Sequence, residues 1–160
     1  MIEFRRITDF ERGTLAALLA DAYAYDPRNV QCWLEDWKEF DDFFYDNPRI
    51  ADLCGFITVL DGEPIGLASW DPRGRPEKVE IGHNCILRKH KGNGYGGAQL
   101  REALRRIRLE PVKRIAVTTN AAFIPARRNY ESAGFRQVAR RANDGPASHA
   151  GDYIDYVIEE

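Results

Sequence analysis

Around Gly92 the chain reads Ile86-Leu87-Arg88-Lys89-His90-Lys91-Gly92-Asn93-Gly94-Tyr95-Gly96-Gly97-Ala98-Gln99-Leu100. An apolar segment runs into a basic, glycine-rich turn and then into a helix-forming segment. Residues of these types at this spacing suit the holding of a phosphate or pyrophosphate. Glycine admits positive φ and lets another group approach the main chain closely. The first turn of a helix presents unpaired N–H groups and the positive end of the macrodipole. Arg88, Lys89 and Lys91 add cationic charge at the rim. The same stretch would also serve as an ordinary strand–helix connection, because glycine-rich turns are common. Two phosphate motifs are excluded by spacing. A P-loop needs Gly, four residues, then Gly-Lys-Ser/Thr, and the chain has no such run. The dinucleotide fingerprint Gly-x-Gly-x-x-Gly fails because Gln99 stands where a glycine would have to follow Gly94 and Gly96.

Such a turn needs a strand before it and a helix after it, and the flanking patterns supply both. Residues 79–87 read as an apolar strand, while Leu100, Ala103, Leu104 and Ile107 form one face of a helix, with Pro111 just beyond its end. At the start of the chain, residues 2–7 alternate apolar and polar, as a half-buried strand does. Thr8 or Asp9 is then placed to cap a helix carrying Leu15, Leu18, Leu19 and Ala22, which Asp26-Pro27 breaks. A second helix is predicted over about 29–44, with Trp33, Trp37, Phe40, Phe43 and Phe44, ended by Asn47-Pro48. Residues 53–60 and 65–70 read as strands joined by the hairpin turn Asp61-Gly62. Ile115-Ala116-Val117 reads as a buried strand. Residues 124–133 then form a short helix with Pro125 in its first turn and Gly134 as a left-handed cap. Strands at 135–140 and 153–158 close the chain, separated by a polar loop with Asn143-Asp144-Gly145-Pro146. The predicted order is β-α-α-β-β-β-α-β-α-β-β, an α/β (α+β) arrangement in one domain over residues 1–160.

Composition sets further bounds. A chain of 160 residues, 44% hydrophobic and 30% charged, is long enough for one domain with its own core. A net charge of −2 argues against bulk binding of nucleic acid, although a local basic patch suffices for a small anion. The charged start Met1-Ile2-Glu3-Phe4-Arg5-Arg6 is unlike a signal peptide, and no apolar run reaches transmembrane length. Cys32, Cys54 and Cys85 are odd in number and widely spaced. That pattern fits reduced thiols better than disulfides or a zinc site. These features predict a cytoplasmic protein, monomer or homodimer, with no metal, no nucleic acid and no membrane partner.

Two segments carry a resemblance. Lys91-Gly92-Asn93-Gly94-Tyr95-Gly96 resembles the acyl-CoA turn of the GNAT superfamily of N-acyltransferases, Arg/Gln-x-x-Gly-x-Gly/Ala. Lysine in first place departs from it, keeping the charge but losing the planar fork of arginine. Downstream, Asn120 followed by Ala126-Arg127-Arg128-Asn129-Tyr130-Glu131-Ser132-Ala133-Gly134-Phe135 resembles the family's Asn … Ala-x-x-x-Tyr-x-x-x-Gly-Phe segment. The order of elements is similar along the entire chain. The resemblance implies a mixed, twisted central sheet of about seven strands flanked by four helices. Two central strands would splay to admit a pantetheine arm, and acetyl-CoA would be the acyl donor.

What the resemblance implies for individual residues follows from the chemistry of amide formation. The amine must lose a proton, the thioester carbonyl must be polarised, and the departing thiolate benefits from a proton. Tyr130 is the implied general acid. Cys85, Ile86 and Leu87 would present main-chain N–H groups to the thioester oxygen and the pantetheine amides. Lys91, Gly92, Asn93, Gly94, Tyr95, Gly96 and Gly97 would hold the pyrophosphate, and Asn120 and Asn129 the polar groups of the cofactor. Glu80 lies at an offset resembling that of the catalytic glutamate of the histone acetyltransferase branch. On a regular strand it shares a face with Gly82, Asn84 and Ile86. His83 is the competing base, on the opposite face unless a bulge intervenes. Cys85 lacks a paired base, which favours direct transfer in a ternary complex. The implied activity is acetylation of a primary amine on a small molecule or peptide. A non-catalytic acyl-CoA-binding or sensor domain of the same fold is the alternative. Glu35, Asp36, Glu39, Asp41 and Asp42 read as the solvent face of an amphipathic helix or, alternatively, as a groove for a cationic amine.

Overall fold

Every residue from 1 to 160 is described by the computed structural model, and the strands alternate as their sequences dictate. They are β1 (Ile2–Arg5), β2 (Gly55–Leu60), β3 (Glu63–Asp71), β4 (Val79–Ile86), β5 (Arg114–Asn120), β6 (Arg136–Arg141) and β7 (Tyr153–Glu159). The helices are α1 (Thr14–Ala22), α2 (Pro27–Asp46), α3 (Pro48–Leu53), α4 (Tyr95–Ile107) and α5 (Ile124–Ser132). One seven-stranded sheet runs β1-β2-β3-β4-β5-β7-β6. Its pairs are antiparallel except β4–β5, which is parallel. Neighbouring residues of β2 separate the two cores. Phe56 joins Trp70, Ile81, Leu100, Leu104, Tyr130 and Tyr156 under α4 and α5. Ile57 joins Leu15, Leu19, Trp37, Phe44, Leu67 and Cys85 under α1, α2 and α3. No helix is long and apolar enough to cross a membrane.

Several local expectations hold and others change. The Asp61-Gly62 hairpin has φ of 50° and 87° at its two residues, the positive pair that a two-residue turn of this kind requires. Gly134, at φ 101°, follows α5 in the left-handed conformation. At the N-terminus the strand stops at Arg5, and residues Ile7–Asp9 form a 3-10 turn, so Thr8 and Asp9 do not cap α1. The cap comes from elsewhere in the chain. Asp41 of α2, buried at 2% exposure, accepts the N–H groups of Gly13 at 2.8 Å and Ala16 at 3.0 Å. Asp26-Pro27 opens α2 directly, with the Asp26 carboxylate accepting the Arg28 N–H. Asn47-Pro48 ends that helix and at once begins a fifth, α3, where four had been predicted. Proline fits the first helical position because it has no N–H to lose there.

The centre of the sheet carries the feature that matters for function. Strands β4 and β5 pair only from Val79↔Ile115 to Ile81↔Val117. Beyond that point β5 continues against β7 as far as Asn120↔Tyr153, and β4 continues against β3 as far as Gly66↔Ile86. The two central strands therefore part company. On the β3 side, Ala68 pairs with Asn84 but Trp70 pairs with Ile81, so β4 carries an extra residue at Gly82–His83. Such a bulge reverses the face of every side chain beyond it. Ile81 and Asn84 consequently both face α4 and α5, while the His83 ring packs on Phe40 of α2 at 4.2 Å between centroids. By alternation Glu80 lies on the α2 side with His83. The expectation that Glu80 shares a face with Asn84 and Ile86 is overturned by this bulge.

Candidate active site

The splay opens a cavity of about 720 Å³ lined by the end of β4, the glycine turn, the first turns of α4 and α5, and Tyr23 and Tyr25. At its outer end the turn has the backbone that the sequence called for. Gly92 and Gly94 both have φ of 83°, and Gly94 is the N-cap of α4 with no side chain satisfying the first-turn N–H groups. Arg88, Lys91 and Arg128 line this end, and no carboxylate lines the cavity anywhere. A diphosphate fits such a donor set on both counts, main chain and charge. Gly96 has a different role from its neighbours. A Cβ there would stand 2.8 Å from Asn129 Nδ2, so its lack of a side chain lets α4 and α5 meet and brings Asn129 to the cavity wall. Gly97 also lines the wall.

Not every expected binding residue converges. The Lys91 ammonium donates to Ala22 O at 2.8 Å and lies 5.1 Å from the Tyr25 ring centroid, and burial lowers its pKa. It thus joins the end of α1 to the turn as well as lining the cavity. Asn93 donates to His90 O at 3.3 Å, and Tyr95 stands edge-on to the His90 ring, and neither lines the cavity. Asn120 Nδ2 reaches Gly151 O at 3.4 Å, tying β5 to the β6–β7 loop instead of facing the cavity.

At the inner end the main chain of β4 is asymmetric. The Leu87 N–H donates to Ile65 O at 2.7 Å, so it is not free for a ligand. In an antiparallel ladder, residues one apart direct their main-chain groups to opposite edges. Cys85 therefore faces β3 with Leu87, while the N–H groups of Asn84 and Ile86 face the side from which β5 has departed. Those two, and not Cys85 or Leu87, are the donors available to a carbonyl oxygen in the slot. Cys85 and Ile86 still line the cavity with their side chains. Burial pushes the Cys85 thiol up to about 12, which keeps it protonated and unsuited to act as a nucleophile.

Tyr130 is 4% exposed, and burial raises its phenol above the usual range. Its hydroxyl accepts from Asn84 Nδ2 at 3.2 Å. Behind Asn84 stands a buried polar chain that the sequence reading missed. Gln99 Nε2 donates to Asn84 Oδ1 at 2.7 Å, to Leu67 O at 2.8 Å and, more weakly, to Cys85 O at 3.1 Å. The Thr58 hydroxyl donates to Gln99 Oε1 at 2.6 Å. Gly66 makes room for this amide: a Cβ there would collide with Cys85 O and lie 2.7 Å from Gln99 Oε1. One signal was available, since Gln99 sits in the apolar stripe of α4 that Leu100, Ala103 and Ile107 define.

On the other face of the sheet the candidate bases are less favourably set. Glu80 pairs with Lys78 at 3.2 Å with its side chain 54% exposed, in the part of β4 still paired to β5. His83 is mostly buried, and desolvation lowers its pKa to about 4, so it is neutral at physiological pH. The acidic residues of α2 are largely engaged within the chain. Asp41 caps α1, Arg12 bridges Asp42 at 2.9 Å and Asp46 at 2.6 Å, and Glu35 lies 3.6 Å from Lys38. The amphipathic-face reading of α2 describes them better than an acidic groove. Above them the β6–β7 loop is laid on the start of α2, through His149 Nε2 to Asn29 Oδ1 at 2.7 Å and Cys32 Sγ to Pro146 O at 3.1 Å.

Comparison with known proteins bears on this arrangement. The family model described as the Acetyltransferase (GNAT) family matches residues 16–135. The N-acetylaspartate synthetase of Rattus norvegicus is 26% identical over 128 residues, covering 77% of this chain and 42% of that protein. The mycothiol acetyltransferase of Acidothermus cellulolyticus is 34% identical over 132 residues, covering 75% of this chain and 40% of that protein. The chain thus spans about two fifths of the length of these relatives. A GNAT family acetyltransferase from Elizabethkingia anophelis, solved with acetyl-CoA bound, superimposes with a TM-score of 0.67 at 19% identity, over 100% of this chain and 97% of that one. The matched stretch takes in α4, α5 and the splayed β4 and β5 between which the cavity lies, and the chain belongs to the GNAT acetyltransferase family.

Proposed function

We propose that this chain transfers an acetyl group from acetyl-CoA to the primary amine of a small molecule or peptide, by direct attack in a ternary complex. One observation carries the reading. A single cavity joins an uncapped helix N-terminus ringed by Arg88, Lys91 and Arg128 to Asn84, the residue that holds the buried Tyr130 hydroxyl. The names of the two relatives and the acetyl-CoA of the Elizabethkingia anophelis protein support it.

Acetyl-CoA, when bound, supplies the activated thioester. The chain's own residues do the rest. The main chain of Gly92 to Gly97, with the three cations, anchors the anionic end of the donor. The Asn84 and Ile86 N–H groups, freed by the splay, are placed to donate to a carbonyl oxygen as it gains charge. Tyr130 carries the proton that a departing thiolate takes. Glu80, on the α2 side with His83, takes the amine proton through water. Cys85, held as a thiol, forms no acyl-enzyme.

The test is release of free thiol from acetyl-CoA across a panel of primary amines. Release that depends on one class of amine is the expected result. Binding of acetyl-CoA with no turnover on any amine would instead favour an acyl-CoA sensor. Glu80→Gln sharpens the base assignment. Its deficit in kcat/KM should be largest at low pH and shrink at high pH, where the amine arrives already deprotonated. An equal deficit at every pH would assign Glu80 to substrate positioning.

A further inference from the structure

We infer that Asn84 is a positioning residue: its side-chain amide, at the cavity wall and locked by Gln99 and Thr58, fixes Tyr130 as a hydrogen-bond acceptor and so leaves the phenol proton free for a group other than Asn84. The catalytic consequence rests on the acetyl-transfer reading, whereas the hydrogen-bond polarity does not.

The polarity is set by groups that have no choice. Main-chain carbonyls only accept. Gln99 must therefore turn its NH₂ toward Leu67 O at 2.8 Å and Cys85 O at 3.1 Å, which leaves its oxygen for the Thr58 hydroxyl at 2.6 Å. With its NH₂ also 2.7 Å from Asn84, Gln99 requires Asn84 to present its oxygen there. The Asn84 NH₂ is then left for Tyr130, whose oxygen accepts at 3.2 Å. Turned the other way, Asn84 would take the phenol proton and withhold it from a leaving group. Asn84 itself meets the cavity, but the groups that dictate its orientation are closed to water, Thr58 and Gln99 being 0% exposed and Tyr130 4%. Gly66 preserves the space that the Gln99 amide occupies. The titratable groups facing Tyr130 are Cys85 of β4, Tyr23 at the end of α1 and Tyr156 of β7, thiols and phenols with no carboxylate or amine among them.

Asn84→Asp reverses the polarity at nearly constant shape, because a carboxylate can only accept. Two readouts are taken. The first is the ionisation of Tyr130, followed by carbon-13 NMR of ring-labelled tyrosine and assigned with Tyr130→Phe. The second is kcat beside the acetyl-CoA Kd. The Tyr130 pKa should rise above wild type, since a neighbouring carboxylate disfavours the phenolate. Turnover should fall about 10- to 1,000-fold, as for a lost general acid, with Kd within about 3-fold. In a Tyr130→Phe background the same change should cost almost nothing further, because the two residues act as one unit. Thr58→Val, which removes only the far anchor, should lower kcat a few-fold with Kd unchanged, and it serves should Asn84→Asp fail to fold. Unchanged Tyr130 ionisation in Asn84→Asp, fully additive losses in the double variant, or wild-type kcat in Thr58→Val would overturn the inference. A risen Tyr130 pKa in a protein that acetylates no amine would uphold the polarity and count against the acetyl-transfer reading alone.

Discussion

The two faces of the sheet solve different problems with different materials. On the α4–α5 face the cavity wall is the glycine turn, the end of β4 and the first turns of two helices, with cations at the rim and a buried polar chain behind Asn84. On the α1–α2 face the surroundings are aromatic rings and long-range side-chain ties. Phe40 covers His83 and packs on Phe44 at 4.6 Å, Asp41 caps a helix 25 residues away at Ala16, and Tyr23, stacked on Trp37 at 5.7 Å, carries this aromatic layer to the cavity wall. A donor shared by many enzymes is served by backbone, which tolerates changes of side chain. The second face is built of side chains, so each substitution there changes what it presents. The first face should therefore respond to substitution through turnover and donor binding, and the second through stability and acceptor choice.

Tyr130→Phe gives the largest expected effect. It should lower kcat about 10- to 1,000-fold with little change in acetyl-CoA affinity, measured by steady-state thiol release beside calorimetry. Equal losses in kcat and affinity would blur the division between chemistry and anchoring. Next, Asp41→Ala on the opposite face should destabilise the protein by about 1–3 kcal/mol, since two first-turn N–H groups of α1 lose their acceptor in a buried setting. Urea denaturation reads this, and acetyl-CoA affinity of the folded variant should stay near wild type. A third substitution, Gly94→Val, places a β-branched residue at φ 83° with no neighbour within 4 Å of the new Cβ. Backbone strain of about 1–2 kcal/mol should then distort the turn and weaken acetyl-CoA binding roughly 10-fold, as seen by calorimetry.

A pH-dependent effect on the same face concerns His83. Its pKa falls from 6.5 to about 4 on folding, so the unfolded chain binds more protons between those values. Its contribution to stability is whole above about pH 6.5 and is lost as the pH drops toward 4. The magnitude is on the order of 1–3 kcal/mol. Urea midpoints measured from pH 7 to pH 4 should fall less steeply in His83→Gln than in wild type, and parallel slopes would show that His83 is solvated.

How much of this was written in the sequence follows the same division. The glycine turn, the hairpin at Asp61-Gly62, the proline-led α5 and its Gly134 cap are local devices, and neighbouring residues suffice to read them. Tyr130 came from a motif spanning a few turns of chain. The bulge at Gly82–His83 could not be read, because it is a mismatch between two strands, and it alone decides on which face Glu80 and Asn84 lie. The Thr58–Gln99–Asn84 chain was equally hidden, since its members come from β2, α4 and β4 and meet only after the sheet has formed. Leu87 looked like a free donor until Ile65 was seen to accept its N–H. The cap of α1 was sought in the residues just before it and was found instead in α2.

The central claim is that the cavity between β4 and β5 is an acyl-CoA site built before any acceptor arrives. Calorimetric titration of acetyl-CoA into the wild-type protein, without amine and at low and high salt, tests it most directly. The account predicts saturable binding of one acetyl-CoA per chain that weakens as salt screens Arg88, Lys91 and Arg128. Absence of saturable binding at either salt concentration would contradict it.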